Sequence, residues 1–342
     1  MMNDISTFST FADRTRPSIK EEIQRVINQS GAHGCVGLKE MITYQLGWTG
    51  ENAGSKAEGK QIRPLLVLLA AEAAGGEWRS VLPAAAAVEL IHNFSLIHDD
   101  IEDRGDTRRG RPSLWKLWGE AQAINTGDAM FALANLSILN LENSCSNEIS
   151  LQASSLFNRT CLRLTQGQHL DIRFEDLDQI SLEDYWLMVG GKTAALLAFC
   201  LEVGALSAEV SPEIQSNYRD FGHYLGLAFQ VQDDILGIWG EKDEIGKSTI
   251  GDLIERKKTL PVLFGLDQKK EFYERWSEGP ISPDDALVMS QVLEAEGGLA
   301  YAQTEANRLT DQALAALKNA QPKGESGIAL MELAAKLLNR TN

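Results

Sequence analysis

The chain has 342 residues, 44% of them hydrophobic and 23% charged, which is enough apolar material for a sizeable core and excludes a disordered or fibrous protein. Lys and Arg number 32 against 48 Asp and Glu, a formal charge of −16, which argues against nucleic acid or an anionic membrane as the default partner. An anionic substrate would require a local basic pocket or bound cations to overcome that field.

The N-terminal MMNDISTFSTFADRTRPS lacks an apolar h-region, so no secretion signal is expected. Cys35, Cys145, Cys161 and Cys200 are scattered without a CxxC pair, as in a reduced cytoplasmic protein. Strand signals are nearly absent, and helical spacing recurs near 18–46, 61–75, 83–103, 120–141, 148–172, 182–207, 212–239, 253–268 and 283–340. Pro17, Pro64, Pro83, Pro212 and Pro261 are expected near helix starts. The glycine-rich stretch 47–59, the basic 104–113 and the mixed 240–252 are expected loops, none long enough to link domains. Leu65 to Gly76 is too short to span a bilayer, and Val81 to Ile97 carries Glu89, His92 and Asn93, so no transmembrane segment is expected. The reading is one all-α domain over 1–342, a bundle of about ten or more helices.

In chain order, the first chemical feature is Gly59-Lys60-Gln61-Ile62-Arg63-Pro64, which puts Lys60 and Arg63 at a helix entry, where free amides also favour anions. His98-Asp99-Asp100-Ile101-Glu102-Asp103 then closes an apolar helix. Asp99 and Asp103 share one face, and carboxylates at a helix C-terminus meet the negative end of its dipole, a penalty of about 0.3–1 kcal/mol each. Magnesium, which takes carboxylate oxygens together with substrate phosphate, would reverse that penalty. Taken alone, the cluster is better read as a solvated helix end. A second cluster, Phe229-Gln230-Val231-Gln232-Asp233-Asp234-Ile235-Leu236-Gly237, changes this, because two such helices can share a metal site. Arg108 and Arg109 follow the first cluster and Lys247 and Lys257 the second, an arrangement suited to a polyanion held partly through magnesium and partly by ion pairs.

These motifs, in the order GKQIRP, HNFSLIHDDIED, DTRRGRPS, GQHLD, GGKTA, FQVQDD and GKSTIGDLIERKKT between about residues 59 and 261, resemble the trans-prenyltransferases, which condense isopentenyl diphosphate with allylic diphosphates. The resemblance implies an isoprenoid-synthase bundle around a deep cavity, a homodimer, and roughly three magnesium ions with substrate bound. It further implies that Asp99, Asp100 and Asp103 ligate magnesium for the allylic diphosphate, with Asp233 holding a further ion and Asp234 and Asp171 nearby. Lys60, Arg63, His92 and Arg109 would hold isopentenyl diphosphate and Arg108 the allylic diphosphate. Lys192, Lys247 and Lys257 would neutralise the leaving diphosphate, with Thr193 and Gln230 directing dipoles at the allylic cation. Phe94, with Ser95 and Ile91 on the helix before Asp99, would set product length, an arrangement resembling the C20 geranylgeranyl type; a C15 farnesyl or longer-chain product is the alternative. The chain departs from the family at Gly237, where the second motif usually ends in Asp. A terpene cyclase would need no isopentenyl set, a silent regulatory subunit would have lost acidic or basic members, and the GKS and GKT tripeptides lack the glycine spacing of a P-loop.

Overall fold

The structure, a computed structural model, describes residues 6–29, 35–240 and 250–338. Its helices are α1 (Thr7–Gln29), α2 (Val36–Gln45), α3 (Ser55–Glu58), α4 (Ile62–Ala73), α5 (Leu82–Glu102), α6 (Leu114–Trp118), α7 (Glu120–Leu139), α8 (Asn147–Glu175), α9 (Leu182–Val189), α10 (Ala195–Ser207), α11 (Pro212–Trp239), α12 (Gly251–Ile254), α13 (Leu260–Gln268), α14 (Glu271–Ser277), α15 (Pro283–Ala295), α16 (Gly298–Asn319) and α17 (Gly324–Leu338). Among the described residues the all-α class holds, with one exception in the basic loop. Thr107–Arg108 (β1) and Arg111–Pro112 (β2) pair antiparallel across Arg109 and Gly110. Both turn residues have positive φ, 54° and 73°, the backbone that a two-residue hairpin demands. Arginine rarely supplies it, and no alternating pattern announces so short a pair.

The chain divides into two compact units: Met1–Arg159, Phe199–Gln215 and Gln321–Glu332 form the first, and Thr160–Ala198, Ser216–Ala320 and Leu333–Asn342 the second. In the first unit, every residue from Leu65 to Ala71 on α4 and from Ala84 to Val88 on α5 is fully buried. Apolar on all sides, these helices form its interior. The four alanines Ala84 to Ala87 keep α5 slim, and it packs along α7 and α4. In the second unit, Leu253, Val262, Phe272, Trp276, Met289 and Leu293 form a separate apolar cluster, so α12 to α15 have their own centre.

Several helix boundaries depart from the periodic reading: 18–46 begins at Thr7 and holds α1 and α2, and 283–340 holds α15, α16 and α17. Pro17 lies ten residues inside α1 rather than at its start; the carbonyl that it leaves unpaired is that of exposed Asp13, which solvent can satisfy. The segment 253–268 is split, because Thr259 is extended and Leu260-Pro261 begins a new helix. Between α9 and α10 the chain forms one π turn over Gly190–Ala194. Two helices, Trp78–Glu102 and Leu182–Ser207, are long and apolar enough to cross a membrane by length and composition, but 67% and 61% of their most apolar windows are buried inside the protein, as in core helices.

Candidate active site

In the first unit, Asp99 is half-buried near the end of α5 and Asp103 caps it, its N–H donating to the Asp99 carbonyl at 2.8 Å. Asp100 points elsewhere. It is 2% exposed and accepts from Arg108 on one oxygen, Oδ1, at 2.9 Å from Nε and 2.7 Å from a terminal nitrogen. Burial raises its carboxyl above the usual range, and the Arg108 guanidinium opposes that rise. Its second oxygen, Oδ2, is buried without a hydrogen-bond partner.

Arg109 turns the opposite way. Its guanidinium donates to the carbonyls of Ala57 and Glu58 at 2.9 and 3.0 Å, and it lies so close over Gly59 that a Cβ there would come within 2.8 Å of Cζ. The glycine of GKQIRP therefore makes room for this arginine. Nearby, Arg63 lies 3.3 Å from Nε2 of His92. Burial first, then the charges of Arg63, Arg109 and Arg108, hold the His92 ring well below its ordinary range, so it is neutral and accepts from Arg63 at Nε2. Glu89 is buried beneath, bonded to Asn93 at 2.9 Å; burial raises its carboxyl and Arg109 lowers it. Lys60, three residues before Arg63, is exposed. Arg111, absent from the sequence-derived set, fixes the hairpin. Buried, it donates to the carbonyls of Tyr44 at 3.1 Å and Thr49 at 2.7 Å and stacks on the Tyr44 ring at 3.8 Å.

Upstream on α5, Phe94 packs against His98 and, across to α7, edge-on against Phe131 at 5.3 Å. Ser95 donates to the His92 carbonyl at 2.8 Å, and Ile91 is buried.

In the second unit, Asp171 on α8 pairs with Lys192 at 2.5 Å. The Thr193 hydroxyl donates to Gln230 Oε1 at 2.9 Å, and the Gln230 amide donates to Asp234 Oδ1 at 3.0 Å. Asp234 Oδ2 accepts from the Tyr185 hydroxyl at 2.7 Å and the Leu260 N–H at 2.9 Å. Burial pushes its carboxyl up to about 7, against the pull of those three donors. Asp234 is thus spent on protein partners, while Asp233, its half-buried neighbour, begins the face that also carries Gly237. Tyr185 was not legible as a site residue, since nothing in DYWLM marks a carboxylate partner 49 residues away. Lys257 pairs with Glu255 at 2.8 Å. Lys247 lies outside the described residues.

Among the described residues, no three His, Cys, Asp or Glu side chains converge as a ready-made metal cage. The residues do fit magnesium, which takes one or two carboxylates and completes its shell with water and substrate phosphate. The donors are hard oxygens, and Asp100, next to Asp99 in the chain, keeps one buried carboxylate oxygen without a hydrogen-bond partner.

Comparison with known proteins shows the family. The family model for polyprenyl synthetases matches residues 52–285. The chain belongs to that family. It is 37% identical over 313 residues to a (2E,6E)-farnesyl diphosphate synthase of Mycobacterium tuberculosis, covering 89% of this chain and 86% of that one. It is 38% identical over 292 residues to a geranylgeranyl diphosphate synthase of the same organism, covering 83% and 82%. Among solved structures, a polyprenyl synthase from Caulobacter crescentus, complexed with calcium and isoprenyl diphosphate, superposes with a TM-score of 0.73 at 30% identity, covering 94% of this chain and 98% of that one. The protein is therefore a prenyl diphosphate synthase, an enzyme of the trans-prenyltransferase type.

Proposed function

We propose that the chain condenses isopentenyl diphosphate with allylic diphosphates in one catalytic domain, releases pyrophosphate, and makes geranylgeranyl diphosphate as its main product. The observation that carries the two-substrate reading is the opposed pair on the hairpin, with Arg108 turned to Asp100 and Arg109 to the carbonyls of Ala57 and Glu58, within electrostatic reach of buried Glu89. A cyclase would need only the first. In this reading Asp99 and Asp103, with Arg108, serve the allylic diphosphate, and Asp233 serves a further magnesium. Magnesium, when bound, supplies positive charge to the diphosphate oxygens. Lys60, Arg63, His92 and Arg109 hold isopentenyl diphosphate, with His92 as a neutral dipole. Lys192, Lys247 and Lys257 stabilise the departing diphosphate. Thr193 and Gln230 orient their oxygens toward the allylic carbon, while Asp100, Asp171 and Asp234 hold Arg108, Lys192 and Gln230 in place.

The direct test is incubation with isopentenyl diphosphate, each allylic diphosphate and magnesium, followed by chromatography of the dephosphorylated products. No chain elongation with any starter would overturn the reading. The two diphosphate sites should also separate kinetically. Lys60→Ala and Arg63→Ala are expected to raise KM for isopentenyl diphosphate by about tenfold or more, the worth of one charge-assisted hydrogen bond. Arg108→Ala should mainly raise KM for the allylic substrate. Equal shifts of both constants in all three variants would mean that the sites are not distinct.

Product length is assigned to α5. Phe94 is fixed against Phe131 and His98, which supports a wall that holds its place, and Ser95 leaves space on the Asp99 face one turn back, about 6 Å along the axis. The names of the two mycobacterial relatives differ in product at nearly equal identity, so identity does not choose between C15 and C20. Ser95→Phe is expected to move the product toward C15, and Phe94→Ala to allow longer chains. Unchanged products in both would place the floor elsewhere.

We also propose a cytoplasmic homodimer, supported by the exposed Leu117, Ile124, Leu136, Leu139 and Leu151 on α6 to α8. Light scattering that gives the monomer mass would refute it.

A further inference from the structure

Arg256, Lys257 and Lys258 stand in the turn between α12 and α13, and the three cations go three ways. Helix α12 closes on two backbone bonds: the Arg256 N–H donates to the Leu253 carbonyl at 3.1 Å and the Lys257 N–H to the Asp252 carbonyl at 2.9 Å. Arg256 itself has φ 54°. This is the helix end that glycine ordinarily supplies, because a side chain strains the left-handed backbone. The arginine side chain is put to use instead. Its Nη1 donates to the Trp276 carbonyl at 2.9 Å and to the Gly279 carbonyl, and its Cζ lies 4.4 Å from the centre of the Trp276 ring. Those carbonyls stand at and just past the C-terminal end of α14, whose dipole also favours a cation. Trp276 is buried in the same apolar cluster as Leu253 of α12, so the anchor is itself fixed. On the other flank, Lys258 donates to the carbonyl of Glu175, the last residue of α8, at 2.9 Å. The outer two cations are thus spent on carbonyls at helix ends. Lys257 between them keeps a half-exposed side chain, with only the carboxylates of Glu255 at 2.8 Å and Asp252 at 3.6 Å beside its ammonium among the ion pairs of this turn.

We propose that Arg256 is a positioning residue, which ties the α12–α13 turn to the end of α14 so that Lys257 meets the departing diphosphate from one fixed backbone position. This rests on the reading of Lys257 as a residue that stabilises that diphosphate. A lysine ammonium on its flexible four-carbon stem is placed only as well as its backbone is held, and a misplacement of about 1 Å can cost about a hundredfold in rate. Glycine at 256 would suit the backbone and remove only the tie, which separates positioning from folding.

The test is a double-mutant cycle on the full chain, read by steady-state kinetics with isopentenyl diphosphate, an allylic diphosphate and magnesium, with thermal melts in parallel. Arg256→Gly is expected to lower kcat by about tenfold while KM for isopentenyl diphosphate stays within about twofold. Lys257→Ala should lower kcat at least as far. In the Lys257→Ala background, adding Arg256→Gly should change kcat by less than about twofold. Arg256→Lys keeps the charge and one bond to a carbonyl, so its kcat should fall between those of Arg256→Gly and the parent; it completes the same cycle if the glycine variant does not fold. A kcat within about twofold of the parent for Arg256→Gly, while Lys257→Ala loses activity, would overturn the proposal and leave the Lys257 reading standing. Losses that multiply in the double variant would also overturn it, because Arg256 would then act by a route other than Lys257. Unchanged kcat in Lys257→Ala would overturn both.

Discussion

Asp99→Ala is expected to lower turnover by about three orders of magnitude or more and to leave the melting temperature unchanged or slightly raised. The two halves have separate causes. Asp99 stands near the C-terminus of α5, within a turn of Glu102 and Asp103, where the helix dipole and like charges both disfavour a carboxylate by some tenths of a kcal/mol each. Removing it relieves that repulsion, so the folded state loses nothing from this source. Activity is different, because the diphosphate carries several charges into an enzyme whose net charge is −16, and in the proposed reading a cation at Asp99 would offset that repulsion where the leaving group departs. Asp100 gives the contrast. Its removal leaves the partly buried Arg108 guanidinium without its carboxylate, so Asp100→Ala is expected to lose activity and also about 1–3 kcal/mol of stability. Steady-state kinetics with both substrates and thermal melts of the two variants check the pair. Full turnover of Asp99→Ala, or of the parent in excess chelator, would remove the metal-dependent reading altogether.

What could be read from the sequence was what local spacing determines. The apolar faces of α4, α5, α7, α10 and α11 repeat at three and four residues, and each acidic cluster sits within one turn of helix, so both helices and clusters were legible. The orientation of each acid within a cluster was not. Asp100 and Asp234 look equivalent to Asp99 and Asp233 in one dimension. Arg108 claims the first, and Tyr185, Gln230 and the Leu260 N–H claim the second. The hairpin was hidden for a similar reason. The bonds that fix it run from Arg109 to Ala57 and from Arg111 to Tyr44, more than 50 residues back, and no local propensity favours arginine at positive φ. Arg256 lies within a motif, but its tie to the end of α14 depends on a carbonyl 20 residues further on.

Gly167→Ala is expected to cost the largest share of stability of any single methyl group added to this protein, about 3 kcal/mol or more, and to reduce activity with it. Gly167 on α8 faces the π turn between α9 and α10. A Cβ there would lie 2.1 Å from the Lys192 nitrogen, 2.6 Å from the Gly191 carbonyl carbon and 2.8 Å from the Lys192 Cα. The contact is reciprocal, since a Cβ on Gly191 would lie 2.7 Å from the Arg163 carbonyl oxygen and 2.9 Å from the Gly167 Cα. Every one of these neighbours is backbone, so no rotamer change relieves the overlap and the helices themselves must part, which places the cost at or above the upper end of ordinary overpacking. The same separation would draw Lys192 from Asp171, one turn along α8 from Gly167, so the loss reaches the site as well as the fold. Gly190 is the internal control. It lies in the same π turn with helical backbone, φ −57°, and a Cβ there meets nothing within 4 Å. Gly190→Ala should therefore be neutral or more stable by about 0.5–1 kcal/mol, through the lower entropy of its unfolded chain. Urea unfolding of the two variants decides the matter: matching midpoints would show that the helices do not depend on glycine to meet at this turn.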